Sequence, residues 1–364
     1  MFRTFLLLII LGFALPSHAA LINGQNYVSL VSWARANGFR AVMVARDQIV
    51  LTNKTSRLEF EIDSDESTLN GVNVRLSYPV AQGALISQLD LDKTVKPLVF
   101  PQKLSTKRIT TICIDPGHGG KDTGNRVPGF FWHNEKTYTL ALALELRDQL
   151  KKAGFKVVLT RDSDVFVELP QRPAKANRVD ADLFISLHFN AAQRGKTAIK
   201  GPETYCITPV GAASSNAQGE GADHGPTPAN RVEDRSVLLA YQVQKSLVQD
   251  LHVDDRDVRR ARFAVLRDAQ MPAILIESGY MSHPVEGKKI FDPVYRQQLA
   301  TTIMKGIVAY QRLTSPVPAP SPAPMPGPAP SRAAAVPTVA VFTNVPLVTP
   351  PLPRDDRRYA SPRH

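Results

Sequence analysis

Between Thr110 and Ser278, five apolar runs (TTICIDP, KVVLTRD, DLFISLHF, ETYCITP and PAILIES) recur, with helix-like stretches such as EKTYTLALALELRDQLKKAG and SVLLAYQVQKSLV between several of them. No other feature limits the fold so strongly. Short, continuously apolar runs read as strands buried on both faces and linked by helices. The pattern implies an α/β fold with a twisted, mostly parallel sheet and helices on both faces. In such sheets, sites form beyond the carboxyl ends of strands, and three of these runs end in imidazole or carboxylate groups.

The first run breaks into Asp-Pro-Gly-His-Gly-Gly, so His118 sits among glycines that let the backbone turn sharply and leave room around the ring. His188 ends LFISLH, and Glu277 ends PAILIE. Glu135 opens a long helix, with Asn134 in the N-cap position and Gly154 as a stop, so its side chain leans back toward the His118 loop. Each residue alone has a plain explanation. A lone histidine after a strand is usually a structural hydrogen-bonding residue, and Glu135 suits the positive end of a helix dipole. Glu277 is harder to dismiss, because a carboxylate ending a buried strand needs a partner. Together, two imidazoles and a carboxylate with an open fourth position make a catalytic zinc set, and the second carboxylate remains as a general base. His133 is the rival ligand. Asp115 reads equally as the partner of a ligand histidine or as a turn cap before Pro116. Asn190 and Arg161 read equally as groove contacts or as structural hydrogen bonds.

The remainder of the chain divides into segments of different kinds. Residues 1–19 read as a signal peptide: Arg3 precedes FLLLIILGFAL, and Ser17-His18-Ala19 offers small residues for cleavage. That run of about eleven residues is shorter than the ~20 that a bilayer core needs, no later stretch is long enough to span, and an exported protein without a membrane span is expected. Residues 20–104 form a small α+β module. NYVSLVSWARANG has helical spacing through Val28, Val31 and Ala34; FRAVMVARDQIVLTN reads as a hairpin; RLEFEID and LNGVNVRLSYP alternate as strands around an Asn-Gly turn, and GALISQLDL reads as a second helix. Residues 108–313 hold the strand and helix alternation. Residues 314–364 are Pro-rich, with SPVPAPSPAPMPGPAPS expected to be an extended, disordered solvated tail rather than a wall-spanning tether. The net charge of +11 suits an anionic extracellular polymer, and nucleic acid is excluded as a partner of an exported chain. Cys113 and Cys206 both lie in apolar strand-like runs and read as buried thiols rather than a bridge.

The motifs DPGHGGKDTG, NEK at a helix start, LTRDSD, ADLFISLHFNA and AVLRDAQMPAILIESGYMSHP occur in this order over nearly all of residues 108–313. They resemble the zinc-dependent N-acetylmuramoyl-L-alanine amidases of the amidase 3 family. The resemblance implies one Zn2+ held by His118, Glu135 and His188, with Glu277 as the catalytic glutamate. It implies peptidoglycan as the substrate and the amide between N-acetylmuramic acid and L-alanine as the bond cut. A zinc murein peptidase and a non-catalytic wall-binding protein are the alternatives. Some family members carry an inhibitory helix near residues 210–236, but this stretch has no apolar helical period, so that form of autoinhibition is not expected. His224, Glu220 and Asp223 read as solvated residues of a loop lining the groove. No activator protein is legible in the sequence. The order of elements in 20–104 resembles the stalk-type module named from the amino terminus of copper amine oxidases. No metal is carried over with that name, since 20–104 contains neither histidine nor cysteine.

Overall fold

The structure, a computed structural model, describes residues 20–104, 108–127, 133–192, 198–214 and 225–316. The expected leader, nearly all of the Pro-rich tail, and His224, Glu220 and Asp223 lie outside the described residues.

Among the described residues, eleven strands form one sheet. In chain order they are β1 (Arg40–Ala45), β2 (Gln48–Thr52), β3 (Arg57–Glu61), β4 (Glu66–Leu69) and β5 (Val72–Arg75). Then come β6 (Thr111–Pro116), β7 (Lys156–Leu159), β8 (Leu183–Asn190), β9 (Glu203–Cys206), β10 (Val258–Arg260) and β11 (Ala273–Tyr280). Across the sheet the order is β7-β6-β8-β11-β9-β10-β5-β4-β3-β2-β1. The first four in that order run parallel, β9 is antiparallel to β11, and β5 to β1 form an antiparallel meander.

Period-2 alternation gives the sheet two cores. Ile112, Ile114, Ile185, Leu187, Ile274 and Ile276 enter one, while Cys113, Phe184 and Leu275 enter the other. After α1 (Leu30–Ala36), helix α2 (Glu135–Lys152) brings Leu142 and Leu146 to the first core. α3 (Gln171–Arg178) brings Ala176 to the second core. α4 (Glu233–Leu251) and α5 (Pro293–Thr314) complete the cover of the first with Leu239, Val243, Ile303 and Ile307. Each fully buried aliphatic side chain of this kind contributes about 1.5–3 kcal/mol. Gly154 ends α2 with a φ of 91°, and Phe155 N donates to Leu150 O at 3.0 Å, the Schellman closure that a glycine there permits. Cys113 and Cys206 are both buried and unpaired.

Two elements of 20–104 begin later than their spacing suggests. The helix expected from Asn26 starts at Leu30, because Gln25–Ser29 is a strand and Ser29 caps α1, its hydroxyl accepting from Ser32 N at 3.2 Å. Val28 therefore pairs with Ile86 rather than facing a helical core. GALISQLDL likewise opens with strand Leu85–Ser87 before turning helical at Gln88. The two strands satisfy each other in a small three-stranded sheet with Ala20–Ile22.

Residues 20–104 share the large sheet with the later strands. Val74 of β5 pairs in parallel with Val258 of β10. Around that pair Asn73 N donates to Asp255 at 2.7 Å, Arg75 lies 3.2 Å from Asp257, and the Tyr241 hydroxyl donates to Leu69 O at 3.1 Å.

Candidate metal centre

The loop after β6 is shaped around its neighbours. His118 has a φ of 62°, a left-handed conformation that costs a non-glycine residue energy unless the surroundings hold it. Two buried guanidinium groups hold it. Arg161 donates to the carbonyls of Pro116 and Gly117 at 3.0 and 2.8 Å, and Arg172 donates to those of Pro116 and His118, both at 3.0 Å. Gly117 is obligatory for contact: a Cβ there would stand 2.3 Å from His188 Cε1. At Gly124 a Cβ would stand 2.5 Å from His118 Cδ2 and 2.7 Å from Glu135 Oε2.

Glu135 is the first residue of α2 and is only 1% exposed. Its Oε2 lies 3.0 Å from His118 Nε2 and accepts from Asn125 N at 2.9 Å. Its Oε1 lies 2.9 Å from His188 Nδ1 and accepts from Phe189 N at 3.0 Å. The donor atoms of His118, Glu135 and His188 all fall within 4.8 Å of one another, and the two rings meet edge to face. Burial alone would raise the Glu135 pKa, but hydrogen bonds from His118 and His188 outweigh it and hold the carboxyl well below the usual range. Burial opposes a charge on His118, while Glu135 and Asp122 together raise its pKa above the ordinary value.

This donor set fits a divalent cation. Each histidine meets Glu135 favourably only if the ring nitrogen carries a proton, and one cation bound among the three groups replaces those protons. His118 Nδ1 donates to Asp122 Oδ2 at 2.8 Å, which fixes the tautomer and leaves Nε2 free to bind a metal. Two imidazoles and one carboxylate match the ligand chemistry of catalytic zinc.

Glu277 stands beside His188 in the parallel register of β8 and β11 and opposite Glu203 in the antiparallel register of β11 and β9. Its Oε2 is buried and makes no hydrogen bond. Burial, then the charges of Glu135 and Glu203, push its pKa well above the carboxylate range.

The other candidates separate cleanly. His133 is turned away: its Nδ1 bonds the Tyr138 hydroxyl, and its ring stacks on Phe291 with centroids 3.8 Å apart. Asp115 is fully buried and bonds Thr160, Arg172 and Ser186 at 2.6, 3.0 and 2.8 Å, so it anchors the arginine that holds the loop. Arg161 is structural in the same sense. Asn190 Nδ2 donates to Glu203 Oε1 at 2.7 Å, a bond between strands. Asn134 occupies the N-cap position without a side-chain cap bond. Sequence reasoning missed Asp122, Arg172 and Glu203. The signals were present: an aspartate four residues beyond His118, and a glutamate opening ETYCI much as Glu277 closes PAILIE.

Fold and cluster together define an α/β protein with a candidate metal centre at the ends of parallel strands. A family model described as N-acetylmuramoyl-L-alanine amidase matches residues 112–309. The N-acetylmuramoyl-L-alanine amidase AmiC of Neisseria meningitidis serogroup B is 32% identical over 244 residues, 61% of this chain and 57% of that protein. The uncharacterized protein YqiI of Bacillus subtilis is 34% identical over 200 residues, 55% of this chain and 84% of that one. A solved N-acetylmuramoyl-L-alanine amidase from Clostridium difficile 630 is 34% identical and aligns with 57% of this chain and 98% of its own, at a TM-score of 0.47. This chain thus spans little more than half the length of its AmiC relative. The matched segment is more than half of the chain, and the chain belongs to the N-acetylmuramoyl-L-alanine amidase family.

Proposed function

We propose that this chain is an exported zinc hydrolase that cuts the amide joining N-acetylmuramic acid to L-alanine in peptidoglycan, in wall remodelling or daughter-cell separation. Residues 108–313 form its catalytic part, and 20–104, which extend the same sheet, an accessory module. The single observation that carries the reading is the meeting of His118, Glu135 and His188 beside an unpartnered carboxylate oxygen of Glu277. Its position inside the family-matched segment supports the choice of bond.

Zinc, when held by His118, Glu135 and His188, supplies a Lewis acid that polarises a carbonyl and makes water a better nucleophile. Glu277 supplies the proton chemistry. Its free Oε2 takes a proton from the attacking water as the new C–O bond forms, and gives it to the leaving nitrogen as the C–N bond breaks. Burial raises the Glu277 pKa, which favours its holding the proton between the two steps. Asp122 keeps the His118 tautomer fixed throughout, and Arg161 and Arg172 keep the loop from relaxing. The electrically positive chain suits the anionic wall polymer. Among the described residues no helix is long and apolar enough to cross a membrane.

Digestion of purified sacculi with the zinc-loaded protein, read by mass spectrometry, tests the reading. Stem peptides with a free L-alanine amine and glycan free of peptide are expected. Products cut within the peptide would replace the amidase with a peptidase.

A further inference from the structure

The loop that carries His118 is gripped from outside by two charged residues that the mechanism does not use. Lys136, the residue after Glu135 on α2, donates from Nζ to Gly120 O at 2.8 Å and to Asp164 Oδ2 at 2.7 Å. The other oxygen of Asp164, Oδ1, accepts from Gly120 N at 2.8 Å. One carboxylate and one ammonium therefore hold both backbone groups of a single residue, and the three bonds close a ring. Gly120 lies in the turn where Gly119 and Asp122 exchange backbone bonds at 2.9 and 3.1 Å, and that turn aims Asp122 at His118 Nδ1. The segment after β7 presses directly on it: a Cβ on Gly120 would stand 2.6 Å from Phe166 N.

The ring spans three stretches of chain: the loop after β6, the start of α2 and the segment after β7. It adds little to global stability, because Asp164 is 57% exposed and exposed ion pairs contribute little. Its position gives it a different effect. Gly120 is two residues from His118 and Lys136 is next to Glu135, so the ring fixes one candidate ligand against the other. A cation binds more tightly when its ligands are already in place, since the apparent dissociation constant rises as the competent fraction of the protein falls.

We propose that Lys136 and Asp164 are positioning residues of the metal centre: their bonds to Gly120 hold His118 and Glu135 together before a cation arrives. This role rests on the reading of His118, Glu135 and His188 as a metal centre.

Chelator competition for zinc, together with the visible spectrum of the Co2+-substituted full chain, tests this without hydrolysis. Lys136→Met removes the ammonium. Asp164→Asn leaves one amide oxygen where two carboxylate oxygens accept. Each is expected to weaken zinc binding about tenfold, the result if about a tenth of the chains keep the ligands in place. Their Co2+ spectra should shift, while the melting temperature of the metal-free chain moves by no more than about 3 °C. Lys136→Arg keeps the charge and a donor, and should bind zinc within about threefold of wild type. Lys305→Met is the control: it breaks an exposed 2.7 Å pair with Asp250, between α5 and α4, and should alter neither measurement. If one of the two ring variants does not fold, the other carries the test. Wild-type zinc affinity and spectrum in the ring variants, or an equal loss in Lys305→Met, would overturn the assignment and leave the metal centre standing. A wild-type chain that takes up neither zinc nor Co2+ sinks the centre and this role together.

Discussion

Glu203 and Glu277 face each other across one strand pair, and each holds a buried carboxylate oxygen, yet their surroundings differ in kind. Glu203 accepts from Asn190 Nδ2 at 2.7 Å and the Tyr280 hydroxyl at 2.9 Å, and Arg259 Nε lies 3.3 Å away. Its neighbours come from β8, β10 and β11, so it fastens three strand ends together. Glu277 has an oxygen with no partner at all. Burial by itself therefore does not mark a reactive acid. A missing partner does, because a protein seldom leaves a buried carboxylate unsatisfied unless something outside the chain completes it.

The largest effect should fall on Glu277. In Glu277→Gln, hydrolysis of sacculi is expected to drop about 10³-fold, while elemental analysis still finds zinc and the melting temperature stays level or rises. Wild-type activity in that variant would erase the distinction between the two acids. Glu203→Ala should act the other way round. Leaving Arg259 facing an empty buried site costs about 2–4 kcal/mol, visible as a lower denaturant midpoint with zinc still bound. An unchanged midpoint would mean that Glu203 fastens nothing. A smaller change belongs to Asp122→Asn, which replaces the charged acceptor of His118 Nδ1 with a neutral amide. Zinc affinity in a chelator competition should fall about 10–100-fold, with stability of the metal-free protein nearly unchanged.

The candidate cluster was legible because strand ends and a helix start carry it, and local sequence fixes both. The partners around it were less so. Asp115 lies three residues before His118 and Asp122 four after it, and only the turn through Gly119 and Gly120 decides that Asp122 meets the imidazole. The same limit applies to the sheet. Alternation within DLFISLHF or RLEFEID names a strand but not its neighbour, so the pairing of Val74 with Val258, 184 residues apart, has no local signature. Where two local preferences competed, as at Asn26 to Ser29, the strand won because Leu85–Ser87 was there to pair with it.

Cys113 and Cys206 point into different cores, on opposite sides of the sheet. They are also three strand spacings apart, about 14 Å, where a disulfide tolerates about 7 Å between Cα atoms. Burial pushes the Cys113 thiol up to about 12 and raises that of Cys206 as well, so neither forms thiolate readily at neutral pH. The folded molecule is thus indifferent to redox potential. It needs no oxidase to complete it and no isomerase to correct it, and an oxidising compartment finds no exposed thiol to attack.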